Sequence, residues 1–247
     1  MKGGENCRKP VRIMSVSISN ETSKAPRAYI FDLDGTLCDT LPDLVSAMNS
    51  MLRRLNYPER TREELLSFIN RGNRYFVWRS LPDGVAATPD DPAVDRAMAV
   101  NAEEYEKCYA DKTREYAGMT ETLKKLKSSG AKLGILTNKR GPFAKKIAAK
   151  LFPDIFDTVR GNIDGTPAKP DPAPALEVAA ALGVSAKECA FIGDSDIDMK
   201  TAVNSGMLPV GVLWGYRSMS CLASAGARLI VSTPADLTTL AHRRVLR

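Results

Sequence analysis

The sequence has one histidine, His242, in 247 residues. It lies near the end of the chain and reads as a structural or solvated side chain of the last helix, so no imidazole cluster is present to hold a metal. Cysteine is also sparse. Cys7, Cys38, Cys108, Cys189 and Cys221 are odd in number, widely spaced and free of any CxxC pair, which indicates neither a disulfide framework nor a zinc site. No apolar run approaches the roughly 18 residues of a membrane helix, and the N-terminus lacks the apolar core of a secretory signal. These absences predict a cytoplasmic protein with no membrane partner.

A concentrated positive charge is missing as well. The net charge of +6 comes from the ends: residues 1–27 hold six Lys/Arg against two Asp/Glu, and residues 243–247 add three Arg. The body between them is close to neutral. It lacks the basic stripe of a nucleic-acid binder, so no nucleic-acid partner is expected. Residues 1–27, rich in Gly, Ser, Asn and Lys, are expected to be a disordered extension.

What is present is a set of short apolar runs. Residues 28–31, 131–137, 189–193, 208–215 and 227–232 suit strands buried on both faces of a parallel sheet. Amphipathic segments with helix signals separate them: Gly130 as a stop, Asp171 as N-cap with Pro172 first in the helix, Gly183 as a stop, and capping-box spacing at 185–188. This alternation predicts an open parallel α/β sheet with its ligand site beyond the carboxyl ends of the strands. Residues 41–116 interrupt it. They show no strand pattern, and Leu41, Leu44, Val45, Met48, Met51, Leu52 and Leu55 mark one helical face. The expected organisation is an α/β core over 28–40 and 117–247 with an all-helical insert at 41–116.

Chemistry gathers where the apolar runs stop. The first run ends in Asp32 and Asp34, like charges that need a cation or a shared proton between them, and Gly35 permits a tight turn there. The second ends in Thr137, Asn138 and Lys139, donors suited to phosphate oxygens. Lys169 precedes a helix start, and the run at 189–193 leads into Asp194, Asp196 and Asp198. Carboxylates without His or Cys make a hard oxygen site that suits Mg²⁺. Asp32 could attack phosphorus while Asp34 exchanges a proton with the leaving oxygen and later with water. Lys169 and Thr137 would add charge and hydrogen bonds.

These four motifs, DLDGT at 32–36, LTN at 136–138, KP at 169–170 and GDSDID at 193–198, resemble those of the haloacid dehalogenase (HAD) superfamily. The resemblance implies a Rossmann-like parallel-sheet core with an inserted all-helical (C1-type) cap that closes over the site. It implies Asp32 as nucleophile, Asp34 as acid/base, and Thr137 and Lys169 as phosphate and charge stabilisers. Mg²⁺ would be held by Asp32, the Asp34 carbonyl, Asp194 and Asp198, the last directly or through water. Gly35, Thr36, Asn138 and Lys139 would contact the substrate.

Longer stretches are similar to the phosphoglycolate phosphatases of that superfamily, among them residues 31–44 and 192–207. Members of that group commonly carry a glycine-asparagine-glycine step where this chain has Asn70, Arg71 and Gly72. Arg71, Arg74 and Arg79 are candidates for a substrate carboxylate, which glycolate would supply.

A dehalogenase would not keep Asp34, a phosphosugar mutase would place a histidine in the first cap helix, and a phosphonate hydrolase would need a cap lysine, which residues 41–80 lack. The expected activity is Mg²⁺-dependent phosphomonoester hydrolysis through an aspartyl-phosphate, by a monomer or homodimer, on phosphoglycolate or a similar small phosphorylated metabolite. A nucleotide, pyrophosphate or sugar phosphate is the alternative substrate, and a non-catalytic phospho-ligand sensor the alternative class.

Overall fold

The computed structural model describes residues 25–242. The expected extension therefore lies almost wholly outside the described residues, as does the side chain of His242. Strand β1 (Ala28–Phe31) is followed by a two-residue strand β2 (Cys38–Asp39) and by four helices, α1 (Leu41–Arg54), α2 (Arg62–Phe68), α3 (Asn73–Ser80) and α4 (Pro92–Cys108). A second two-residue strand, β3 (Arg114–Glu115), leads into an alternating run. Its elements are α5 (Met119–Ser128), β4 (Lys132–Arg140), α6 (Gly141–Leu151), β5 (Thr158–Asn162), α7 (Ala173–Ala181), β6 (Cys189–Gly193), α8 (Asp196–Ser205), β7 (Leu208–Val212), α9 (Met219–Ser224), β8 (Leu229–Val231) and α10 (Thr238–His242).

Six strands form one parallel sheet in the order β5-β4-β1-β6-β7-β8. Side chains of β1 alternate between two helix layers. Tyr29 and Phe31 pack with Leu133, Ile135 and Ile192 on one face, and Ile30 packs with Leu136, Phe191 and Val178 on the other. Covering both faces removes the polar positions that an exposed strand would show, hence the continuous apolar runs. Each large side chain fully buried this way contributes about 1.5–3 kcal/mol. No described helix is long and apolar enough to cross a membrane.

The helical insert has a core of its own, in which Leu41, Met48, Met51 and Leu52 of α1 meet Leu65, Phe76, Val77 and Val94. Thr61 and Glu64 form a reciprocal capping box that starts α2. Asp43 binds the entry of the insert to its exit: its buried carboxylate accepts from Lys112 N at 3.0 Å, Thr113 N at 2.8 Å and Thr113 Oγ1 at 2.7 Å.

The structure differs from the sequence reading at several places. Residues 41–116 do contain a strand, since β3 pairs antiparallel with β2 and makes a ribbon where the chain leaves and re-enters the core. Strand β5 has no apolar run because it is a half-exposed edge. Helix α7 begins at Ala173, and Asp171 Oδ1 accepts Ala173 N at 2.8 Å from just outside it. Strands β7 and β8 are shorter than their apolar runs.

Removing the Asp43 carboxylate strands the Lys112 and Thr113 donors at the exit of the insert. Asp43→Ala is expected to lower unfolding free energy by about 2–3 kcal/mol, read as an earlier urea midpoint. An unchanged midpoint would contradict this role.

Candidate active site

Two strand ends and a break in the ladder of a third strand build the site. Asp32 directly follows β1, Asp194 follows β6, and the Thr137–Lys139 segment sits where β4 departs from its ladder with β5. The register advances four residues on β4 (Leu136 to Arg140) against two on β5 (Arg160 to Asn162). Such a bulge re-aims side chains that a regular ladder would commit to the two layers.

Asp32, Asp194 and Asp198 each present a carboxylate oxygen, and these oxygens lie within 4.8 Å of one another. All three residues are buried. One ammonium faces them: Lys169 Nζ is 2.9 Å from Asp32 Oδ1 and 2.7 Å from Asp198 Oδ1. Asp198 Oδ2 also accepts Ser195 N at 3.0 Å and Ser195 Oγ at 2.6 Å, closing the N-terminus of α8. Asp194 accepts only neutral donors, Thr36 Oγ1 at 3.1 Å and Tyr216 N at 2.8 Å. Close approach dictates the glycines: a Cβ on Gly193 would overlap Asp198, and one on Gly35 would overlap Asp194 and reach 2.7 Å from the Tyr216 ring.

Burial pushes the Asp32 carboxyl up to about 7 against the pull of Lys169, with Asp198 and Asp34 adding to the rise. Asp194 is raised well above the carboxylate range, first by burial and then by Asp198 and Asp32. Burial would lower Lys169, but Asp198 and Asp32 hold it above its ordinary value, so it stays protonated. Asp32 Oδ1 is buried without a hydrogen bond, its contact with Lys169 having ion-pair distance but not hydrogen-bond geometry. An orphaned oxygen among three carboxylates and one lysine fits a divalent cation with a preference for oxygen.

A second ion pair stands beside this cluster. Lys139 Nζ lies 2.9 Å from Asp34 Oδ1, which also accepts Thr40 Oγ1 at 2.6 Å. The Lys139 ammonium is 5.0 Å from the Tyr105 ring centroid. Burial acts to lower it, but Asp34 and Tyr105 keep it above the ordinary lysine range. Thr137 Oγ1 accepts Lys139 N at 3.2 Å. Asn138 fixes the neighbouring segment, its Oδ1 accepting Lys169 N at 2.9 Å and its Nδ2 donating to Lys169 O at 3.0 Å.

A cavity opens between these groups and the insert. Asp32, Asp34, Thr137, Asn138, Lys139 and Lys169 line its floor. Leu44, Ile69, Asn70, Phe76, Asn101 and Tyr105 line the insert side. Six of the expected site residues thus meet there, while Asp194 and Asp198 complete the carboxylate cluster beneath.

The remaining expected residues fall elsewhere. Gly35 and Thr36 lie behind Asp194, the Thr36 hydroxyl being engaged by that carboxylate. Asp34, on the cavity floor, has its carboxylate engaged by Lys139 and Thr40; the metal contact expected of it was through its backbone carbonyl. Arg71 and Arg79 do not line the cavity. Arg71 lies over the Tyr75 ring at 5.3 Å, and Arg79 over Phe68 and Trp78 at 5.3 and 5.5 Å. Arg74 binds Pro89 O and Asp95 within the insert.

Sequence reading passed over Arg140 and Tyr105, which do line the cavity. Arg140 directly follows Thr137, Asn138 and Lys139, and continuing the strand one residue further would reach it. Tyr105 was hidden in the amphipathic pattern of α4. The Asn70-Arg71-Gly72 step is physically closer to a two-glycine step than its letters suggest, because Asn70 and Gly72 have φ of +82° and +88°. Asparagine tolerates that left-handed region better than most side chains do.

Comparisons with known proteins agree with this geometry. Residues 29–212 match the family model described as haloacid dehalogenase-like hydrolase. The chain is 36% identical over 191 residues to the phosphoglycolate phosphatase of Psychrobacter arcticus, covering 76% of this chain and 83% of that one. It is 33% identical over 215 residues to the phosphoglycolate phosphatase of Chromobacterium violaceum, covering 87% and 96%. A crystal structure of a candidate phosphoglycolate phosphatase from Lactobacillus delbrueckii superposes with a TM-score of 0.79 at 31% identity, covering 88% of this chain and 99% of that one.

The raised carboxyls set a pH dependence. The folded state binds more protons than the unfolded chain between the ordinary aspartate value of 3.8 and about 7. The stability contributed by Asp32 and Asp194 therefore falls as pH rises through that window. In metal-free protein, Asp194→Asn is expected to raise the melting temperature at about pH 8 and to abolish the upward shift that Mg²⁺ gives the parent protein. A parent melting temperature indifferent to Mg²⁺ would contradict the cation site.

Proposed function

This chain belongs to the haloacid dehalogenase-like hydrolases and is a phosphatase, and we propose that it hydrolyses small phosphomonoesters through an aspartyl-phosphate on Asp32, with phosphoglycolate as substrate. The observation that carries the reaction class is the buried group of Asp32, Asp194 and Asp198 around one lysine, set beside the Asp34–Lys139 pair.

Asp32, Asp194 and Asp198 would hold Mg²⁺, which when bound offsets the charge of the carboxylates and of the phosphoryl group. Asp32 attacks phosphorus and the ester bond breaks, the leaving oxygen taking a proton from Asp34, which enters this step in its acid form while its other oxygen still accepts from Lys139. Asp34, now a carboxylate, takes a proton from water as that water attacks the phosphoryl group on Asp32. This step releases phosphate and returns both side chains to their starting states. Lys169 stays protonated throughout and steadies the charge on Asp32. Lys139 and Thr40 hold Asp34 in place.

Two features support a small acidic leaving group. Asn70 Nδ2 is buried without a hydrogen-bond partner on a residue that lines the cavity, so an acceptor on the substrate would satisfy it. Arg140 lines the same cavity, and its nearest acid, Asp164, is 4.0 Å away. These groups take the place that the cap arginines were expected to fill. The phosphoglycolate phosphatases among the relatives point to the same acid.

Asp32→Asn is expected to abolish Mg²⁺-dependent phosphate release with the melting temperature and circular dichroism retained. A folded parent protein that released no phosphate from a panel of phosphorylated metabolites would contradict the reaction. Arg140→Met should raise KM for phosphoglycolate about tenfold, the loss of one charge-assisted hydrogen bond. It should move KM for p-nitrophenyl phosphate about twofold at most, and an equal effect on both would remove Arg140 from carboxylate recognition.

A further inference from the structure

We infer that Arg217 is a positioning residue, a clasp by which the α/β core holds the cavity-lining loop Ile69–Gly72 of the insert over the carboxylates. The inference rests on the proposed reading of the cavity as the substrate site.

The C-terminal end of α2 leaves carbonyls that its own helix does not satisfy, and its last turn has no basic residue. Arg217 supplies the missing cation from outside. Its two terminal nitrogens donate to Leu66 O and Ile69 O, each at 3.1 Å. A planar guanidinium bridging two carbonyls fixes orientation as well as distance, which an ammonium on a flexible stem would not. Ile69 and Asn70 are cavity residues, so the clasp acts one residue from the unpartnered Asn70 amide.

The anchor is itself tied to the carboxylate cluster. Tyr216, the residue before Arg217, donates its backbone N–H to Asp194 Oδ2 at 2.8 Å. Its hydroxyl accepts Thr40 N at 3.2 Å and Leu41 N at 3.1 Å and lies 3.2 Å from Asp39 Oδ1. Two residues earlier, Trp214 Nε1 donates to Thr36 O at 2.9 Å. The loop after β7 therefore touches the turn after β1, the ribbon and the insert in succession. A second core segment also touches the loop, Asn138 Nδ2 donating to Asn70 O at 3.4 Å. The insert is also held to the core where Tyr105 of α4 meets Phe143 of α6, with ring centroids 4.8 Å apart, and where Lys150 Nζ donates to Ala110 O, just beyond α4, at 2.8 Å. Loss of Arg217 should thus free the loop without detaching the insert.

Arg217→Met keeps the apolar stem and removes the fork, and Arg217→Lys keeps the charge alone. Hydrogen exchange on the full chain, without substrate, should show protection of amides 66–72 falling about tenfold or more in Arg217→Met. Amides of β1 and β6 should be unchanged, and Arg217→Lys intermediate. With Mg²⁺ and phosphoglycolate, KM should rise about tenfold while kcat is held or increased. Unchanged protection at 66–72 overturns the clasp, and so does lost protection with unchanged KM. If the parent enzyme turns over no phosphoglycolate, the proposed substrate fails and hydrogen exchange alone decides the clasp.

Discussion

Three buried carboxylates share one buried ammonium, and much of the molecule is arranged around that imbalance. Charge of one sign cannot be gathered in a low-dielectric interior without compensation. Lys169 reaches two of the acids, and among the described residues no lysine or arginine forms an ion pair with the third. Asp194 is left with a hydroxyl and a backbone amide. Stability is thereby spent on a site, and the sheet and its two apolar layers have to make up the difference. The nearest glycines are close-fitting for the same reason, since the backbone must approach the carboxylates without a Cβ between them.

Contacts run outward from this cluster to the wall of the cavity that the insert forms. Asp194 is tied to the loop after β7, that loop to the β2–β3 ribbon and to the end of α2, and α2 to Asn70. A strand-end acid is therefore in mechanical contact with the insert through backbone amides, one phenol and one guanidinium. Binding free energy from the non-reacting part of a substrate can be used at the phosphorus only if such connections are stiff.

The strand-end polar groups of the candidate site were legible in the sequence because parallel strands covered on both faces have no polar interior positions. A polar residue at the end of such a run stands out, and Asp32, Thr137 and Asp194 were found that way. Lys169 was found from its place before a proline and a helix start. The helical insert was legible from the single apolar face of α1. Other elements gave no comparable signal. Edge strand β5 is half-exposed, and the ribbon has only two residues per strand, too short for alternation to register. The cap arginines were chosen for their charge, but aromatic rings and nearby insert groups already engage them, and only packing shows this. Arg217 lies in a loop with no periodicity, and its role depends on carbonyls some 150 positions away in sequence.

The proposed chemistry rests on a carboxylate oxygen of Asp32 receiving the phosphoryl group. The most direct measurement is rapid acid quench of the Mg²⁺-loaded enzyme during turnover, followed by mass spectrometry of its peptides. The account predicts a phosphoryl adduct on the peptide bearing Asp32, formed before phosphate release and absent from Asp32→Asn. Turnover with no adduct on any aspartate-bearing peptide, or continued turnover by Asp32→Asn, would contradict it.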